Sequence, residues 1–201
     1  EGKVHFVGNV MIDTLIRLLP EAKGEGHLGK EIGNNNYALV TLHRPSNVDK
    51  PEMLNEIINT LTEISQELPV IFPVHPRTRL RISDFGLQVS ENGRLHLIDP
   101  VGYLQFLRLE KSATIVITDS GGIQEETTFL GVPCMTVRKN TERPVTVDLG
   151  TNSVVGQDMV RLKNEVSTIL DGNAKKGKIP PLWDGKASER IADIIVKEMG
   201  T

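Results

Sequence analysis

The chain has 201 residues, 38% hydrophobic and 24% charged, and its 23 Lys and Arg against 26 Asp and Glu leave a formal net charge of −3. That is the composition of a globular domain of the usual ~100–200 residues; no apolar run approaches the ~20 residues of a membrane span, and residues 1–5 carry no signal-peptide core, so neither a span nor an export signal is expected. The single cysteine, Cys134, excludes an internal disulfide and a cysteine-based metal cluster and suits a reducing cytoplasm, while the mildly negative charge argues against a wholesale nucleic-acid binder.

Short apolar runs alternate with stretches whose apolar residues recur at helical spacing, a βαβα pattern. Residues 4–7 read as a first strand, followed by a helix over 10–19 with Ile12, Leu15, Ile16 and Leu19 on one face. A glycine-rich loop with Gly24, Gly26, Gly29 and Gly33 precedes a strand over 37–42. Pro51 sits in a first helical turn, where its missing N–H is harmless, and Leu54, Ile57, Ile58, Leu61, Ile64 and Leu68 continue at spacings of three and four. Strands are predicted over 70–72 and 95–98, the second leading through Pro100 and Gly102 into a helix over 104–109. The β-branched run 114–118 predicts a central parallel strand covered on both faces. A helix over 121–130 follows, closed by Gly131, then a strand over 132–137. Met159, Leu162, Val166, Ile169 and Leu170 mark another helix, and the last runs over 186–199 with Ile191, Ile194 and Ile195 on its apolar face. The expected fold is α/β, a doubly wound, Rossmann-like sheet of about five to seven parallel strands.

Ligands of such sheets bind outside the carboxyl ends of the strands. His43 and Arg44 follow one strand, His75 and Arg77 another, Asp119 to Gly122 a third, and Arg138, Lys139, Glu142 and Arg143 a fourth. This local excess of Arg and His points to an anionic ligand; the alternative is a set of solvated loop charges with a packed histidine or two. Arg79 and Arg81 fall on the exposed face of the next helix.

The strand-to-helix turn through Gly121 and Gly122 lets a group approach the backbone and presents the unpaired N–H groups of a helix start, which suits a phosphate. A plain helix start capped by Asp119 or Ser120 has the same sequence, and neither the P-loop nor the dinucleotide glycine spacing is present. Gln124, Glu125 and Glu126 either answer the helix dipole or include the carboxylate that accepts both hydroxyls of a ribose diol. His5, His27, His43, His75 and His96 lack metal-ligand spacing, so no metal is expected. Ser120 lacks a nucleophile elbow, the few aromatics are not interleaved with a basic stripe, and Cys134 reads as a buried small hydrophobe.

Several elements in a fixed order carry a family resemblance. Thr41-Leu42-His43-Arg44 with Asn47-Val48-Asp49, Pro73-Val74-His75, Gly102-Tyr103 with Phe106-Leu107, Thr118 through Glu126, Leu130-Gly131-Val132-Pro133, and Thr141-Glu142-Arg143-Pro144 with Gly150-Thr151-Asn152 together resemble the UDP-N-acetylglucosamine 2-epimerases. The resemblance implies the C-terminal half of a two-domain, glycosyltransferase-B-like epimerase of the non-hydrolysing type. Residues 1–201 are then a single UDP-binding domain, with the helix over 186–199 packing against an N-terminal domain that supplies the acidic residues for proton transfer at the sugar C2.

The same resemblance implies that Ser120, Gly121 and Gly122 donate to the diphosphate and that Glu126 holds the ribose hydroxyls. Val101 and Phe106 contact the uracil, His43 is catalytic beside the diphosphate and sugar, and Arg44, His75 and Arg143 line the substrate cleft. The implied reaction eliminates UDP to give a 2-acetamidoglucal and adds it back with C2 inverted, interconverting UDP-GlcNAc and UDP-ManNAc. It needs no cofactor, and the implied enzyme is a cytoplasmic homodimer with no nucleic-acid or membrane partner. The isolated chain is expected to be inactive. Many bacterial members continue His-Arg with Arg-Glu-Asn where this chain has Pro45-Ser46-Asn47, so activation by a second substrate molecule is not implied. The rival readings are an epimerase for a related UDP-sugar, a hydrolysing epimerase, the donor domain of a glycosyltransferase, and a non-catalytic UDP-sugar sensor.

Overall fold

The computed structural model describes residues 4–22, 36–89 and 93–199; the glycine-rich loop through Asn35, with His27, lies outside them. In chain order the elements are α1 (Val10–Leu18), β1 (Ala38–Thr41), α2 (Pro45–Val48), α3 (Pro51–Glu67), β2 (Val70–Pro73), α4 (Pro76–Asp84), β3 (Leu95–Ile98) and α5 (Tyr103–Ser112). Then come β4 (Ile115–Thr118), α6 (Gly121–Leu130), β5 (Cys134–Thr136), α7 (Pro144–Asp148), β6 (Asn152–Val154), α8 (Met159–Leu170) and α9 (Ala187–Met199).

The sheet has six strands in the order β3-β2-β1-β4-β5-β6, every pairing parallel. It is the doubly wound arrangement expected. The four inner strands bury both faces, because alternate residues meet different helices, while the edge strands β3 and β6 are partly exposed. Ala38, Val40, Ile115 and Ile117 pack with Ile57, Leu61 and Ile64 of α3 and Met159, Leu162 and Val166 of α8. Leu39, Ile71 and Val116 face the other way, against Leu109 of α5, with Phe106 and Ile123 packed alongside. The strand order reverses between β1 and β4, and Thr41 lies opposite Thr118, so the two chain segments leave the sheet side by side. A crevice at such a switch point is where doubly wound sheets bind ligands.

Three features depart from the sequence reading. Residues 4–7 are not a strand: no sheet partner receives them among the described residues, and Val4 and Phe6 stand 87% and 72% exposed. An apolar run becomes a strand only when a neighbour takes up its backbone groups. The segment ends at Gly8, whose φ of 100° and close approach to the Leu182 carbonyl leave no room for a Cβ. Second, β6 escaped prediction because it opens on a buried polar residue, Asn152. Third, α2 and α7 are short helices, each started by a proline in its first turn.

The last helix is fastened to the first. Asp13 of α1 accepts hydrogen bonds from the backbone N–H of Ala187 (3.1 Å) and of Ser188 (2.7 Å), capping α9 from a distance, while Arg190 pairs with Asp184 and donates to the Val7 carbonyl. Ile191 and Ile194 are half-buried, whereas Ile195, Val196 and Met199 stand exposed. No helix of the described residues is long and apolar enough to cross a membrane.

Candidate functional site

The switch point is organised by Asp119, the first residue after β4 and fully buried. Its carboxylate accepts from the backbone N–H of His43 (3.0 Å) and Arg44 (2.9 Å) and from Asn47 Nδ2 (2.9 Å), and it lies 3.0 Å from His43 Nδ1. Burial alone pushes the carboxyl up; the hydrogen bonds from His43, Arg44 and Asn47 outweigh it and hold the group below its ordinary range. The Nδ1–H of His43 is thus committed to Asp119, leaving Nε2 for a ligand. Asn47 also donates to the Val137 carbonyl and accepts from Gln157, tying the ends of β1, β4 and β5 together.

Because Asp119 turns back toward β1, it does not cap α6. Ser120 occupies the N-cap position with no side-chain capping bond. The first turn therefore presents its N–H groups outward at the positive end of the helix dipole. Neither Gly121 nor Gly122 has a backbone angle that demands glycine, and a Cβ there would meet nothing nearer than Arg143 Cγ at 3.9 Å and Met11 Cε at 3.8 Å. Nothing in the described residues requires these glycines. The absence of a Cβ leaves the backbone of this turn open to approach from outside.

Around this turn three guanidinium nitrogens, Arg44 Nε, Arg138 Nη1 and Arg143 Nε, are buried without a directed hydrogen bond. Arg143 Nε lies 2.8 Å from Glu125 Oε1, but its N–H is not aligned with that oxygen, so the contact is ionic only. Arg138 pairs with Glu142 through its other terminal nitrogen. Buried guanidinium N–H groups with hydrogen-bonding capacity left over are costly, and positive charge of this kind beside a helix start suits an anion.

The three polar residues of α6 take three different roles. Gln124 Oε1 accepts from Thr141 Oγ1 (2.5 Å) and from Asn152 Nδ2 (3.2 Å), anchoring the loop that carries Arg143. Glu125 meets Arg143. Glu126, 3% exposed, accepts from the Tyr103 hydroxyl at 2.9 Å through Oε1, while its Oε2 and both oxygens of buried Glu110 take no hydrogen bond from any N–H or hydroxyl group. Burial and the Glu126 charge hold Glu110 protonated well above the ordinary carboxylate range. Burial likewise raises Glu126, opposed by hydrogen bonds from Tyr103 and Glu110.

Of the residues singled out by sequence, His43, Arg44, Ser120, Gly121, Gly122 and Arg143 gather at the switch point. His75 is exposed at the start of α4, its ring centroid 6.0 Å from that of His43, and its Nδ1 accepts from the Arg77 N–H. Val101 and Phe106 are partly buried beside Ile123 over the second core cluster. Arg79 pairs with Asp99 and Arg81 with Asp49 on the surface of α4, as expected, and Cys134 is buried. Among the described residues no group of three or more His, Cys, Asp or Glu could hold a metal ion. Sequence reasoning missed the clamp by Asp119 and Asn47 and the pairing of Glu110 with Glu126. An ionisable residue placed just after the apolar run Ile115-Val116-Ile117 of a central strand was the available signal for Asp119.

Fold and site together define a doubly wound α/β domain with a donor-rich strand edge. The chain belongs to the UDP-N-acetylglucosamine 2-epimerase family, which matches it over residues 1–196. It is 41% identical over 206 residues to the UDP-N-acetylglucosamine 2-epimerase of Methanococcus maripaludis, covering 98% of this chain and 56% of that protein. With the UDP-2,3-diacetamido-2,3-dideoxy-D-glucuronate 2-epimerase of Pseudomonas aeruginosa it shares 38% identity over 202 residues, covering 98% and 53%. Among solved structures, the Methanocaldococcus jannaschii UDP-GlcNAc 2-epimerase in complex with UDP-GlcNAc and UDP matches with a TM-score of 0.85 at 38% identity, over 98% of this chain and 56% of that one. The chain spans about half the length of the curated relatives it matches.

Proposed function

We propose that this chain is the C-terminal, UDP-binding domain of a UDP-N-acetylglucosamine 2-epimerase of the non-hydrolysing type. The observation that carries the reading is the sequence of unpaired polar groups along α6, cationic and N–H donors at its start and the Oε2 carboxylate oxygen of Glu126 further on. A nucleoside diphosphate offers the matching groups in the same order, anionic phosphates and then a ribose diol. Four residues of helix separate Gly122 from Glu126, about 6 Å at 1.5 Å per residue. The M. jannaschii relative, whose structure holds UDP-GlcNAc and UDP, supports the same ligand class.

In this reading the amides of Gly121 and Gly122, the Ser120 hydroxyl and Arg143 take the diphosphate, Glu126 takes the ribose, and Val101 and Phe106 flank the uracil. His43, with Arg44 and His75 beside it, faces the bond that breaks. Elimination moves the C2 proton to a base supplied by the rest of the enzyme and the C1–O electrons onto departing UDP; re-addition returns UDP to C1 and delivers a proton to the opposite face of C2. Negative charge grows on the departing phosphate, so donors already fixed there stabilise the transition state more than the ground state. Asp119 contributes by holding the His43 ring. The exposed Val196 and Met199 of α9 contact the remainder of a homodimeric enzyme.

Calorimetry on the 201-residue chain tests the assignment. UDP should bind about tenfold more tightly than UMP, the worth of one further charge-assisted hydrogen bond; equal affinities overturn the diphosphate site. The chain alone should give no epimerase turnover. A second reading, an epimerase for another UDP-sugar, has the Pseudomonas relative behind it. Comparing the binding of UDP-GlcNAc with that of the diacetamido-glucuronate separates the two.

A further inference from the structure

One buried ionisable group, Glu110, has no part in the proposed binding chemistry. It lies on α5, fully buried, seven residues and so two turns beyond Tyr103, whose hydroxyl reaches Glu126; that face of α5 sets Glu110 against Glu126 of α6, and neither oxygen of Glu110 nor Glu126 Oε2 takes a hydrogen bond from any N–H or hydroxyl. Two carboxylates facing each other in a protein interior repel and are poorly solvated, and a proton held between them removes both penalties. The surroundings favour that solution. Tyr103, on the same helix as Glu110, already donates to Glu126 Oε1, and ionisation of Glu110 would act on it as well. Cys134 of β5 is buried and would be raised by the same ionisation. Glu125, next to Glu126, is met by Arg143. Arg108 is two residues from Glu110 on α5, a spacing that does not share a helix face.

We propose that Glu110 is a positioning residue for the nucleotide's ribose: it carries the proton of the pair, donates it as a hydrogen bond to the Glu126 carboxylate, and so holds Glu126 as the acceptor of the 2′,3′-diol. The inference rests on the ribose role given to Glu126 above. It makes the pair a single negative charge with a definite working range. On the acid side Glu126 takes a second proton and no longer accepts both hydroxyls. On the alkaline side Glu110 ionises and drives the two carboxylates apart.

The readout is the ratio of UDP affinity to 2′,3′-dideoxy-UDP affinity, measured by calorimetry on the full chain across pH, since phosphate ionisation is common to both ligands and cancels. The wild-type ratio should rise from acid pH to a plateau and fall again at alkaline pH. Glu110→Gln keeps an N–H donor and cannot ionise, so it should keep the plateau within about twofold and lose the alkaline fall. Glu110→Leu removes the donor and should lower the ratio about tenfold throughout. An unchanged alkaline fall in Glu110→Gln, or an unchanged ratio in Glu110→Leu, overturns the proposal.

If the wild-type protein does not discriminate the two nucleotides, the ribose role of Glu126 fails and the positioning role fails with it. The shared proton is then judged alone by thermal unfolding. A carboxyl raised in the folded state binds its proton more tightly there, so wild-type stability should drop relative to Glu110→Gln as pH rises above the ordinary value of 4.5. Parallel unfolding profiles would mean that no such proton exists.

Discussion

The two ends of the first turns of α6 differ in the sign of what they leave unpaired. At Ser120 to Gly122 the surplus is of donors: an uncapped helix start and three arginine nitrogens without directed acceptors. At Glu126 the surplus is of acceptors: Glu126 Oε2 and both oxygens of Glu110 meet no N–H or hydroxyl, and one shared proton does not fill them all. A domain complete in itself gains nothing from either, since each buried unpaired polar group costs about 1–3 kcal/mol. The neighbouring Asn152 shows what a self-contained solution looks like. Its amide donates to Gln124 and Thr146 and accepts from Thr136. Unpaired groups sorted by sign in this way are what the proposed ligand, anionic at one end and hydroxylated at the other, would satisfy.

That contrast breaks first at Asp119, where the donor end is assembled. Asp119→Ala strands the His43 and Arg44 N–H groups and Asn47 in the interior, and urea denaturation should show a loss of about 3–5 kcal/mol. The sign of its pH dependence follows from a carboxyl lowered in the folded state. The stabilisation is present above the ordinary value of 3.8 and disappears as pH falls through the lowered one, so the variant's stability profile should lack that acid-side loss.

Arg143→Ala should weaken UDP tenfold to about a hundredfold while changing uridine little, as expected of a contact to phosphate. Uridine losing as much as UDP would show that the donor end reads something else. At the acceptor end, Glu126→Ala should weaken UDP about tenfold and 2′,3′-dideoxy-UDP by less than about twofold. An equal loss for both ligands would remove the diol from the account and with it the difference between the two ends.

Most of the donor end was legible because its residues are local to strand ends. His43, Ser120, Gly121, Gly122 and Arg143 each lie within a few residues of an apolar run, and β4 announces itself through Ile115, Val116 and Ile117. The acceptor end was half legible. Glu126 stands in a helix start, but its relation to Tyr103 and Glu110 is created when α5 packs beside α6, and no local pattern records which side chains then meet. Arg138 was in view beside Lys139; only burial of its Nη1 separates it from a solvated charge. The sheet was legible where strands are apolar and failed at both extremes of polarity. Residues 4–7 are apolar without a partner, and β6 has a partner but opens on Asn152, whose buried amide replaces apolar packing with hydrogen bonds.

The smallest effect gives the sharpest comparison, because stability and binding should move in opposite directions. Gly122→Ala places a methyl group in ordinary van der Waals contact with Met11 Cε, at 3.8 Å, in a backbone conformation open to any residue. Alanine loses less backbone freedom in a helix than glycine, so the variant should be more stable by about 0.5 kcal/mol in thermal or urea unfolding. The same methyl stands over the helix start that a phosphate would approach, so UDP affinity should fall while uridine affinity holds. A variant that gains stability and keeps its UDP affinity would mean that the phosphate does not come close to this backbone, and the unpaired donors around it would need another occupant. A variant that loses both would mean that the glycine serves the fold. Only the opposed pair of changes assigns it to the ligand.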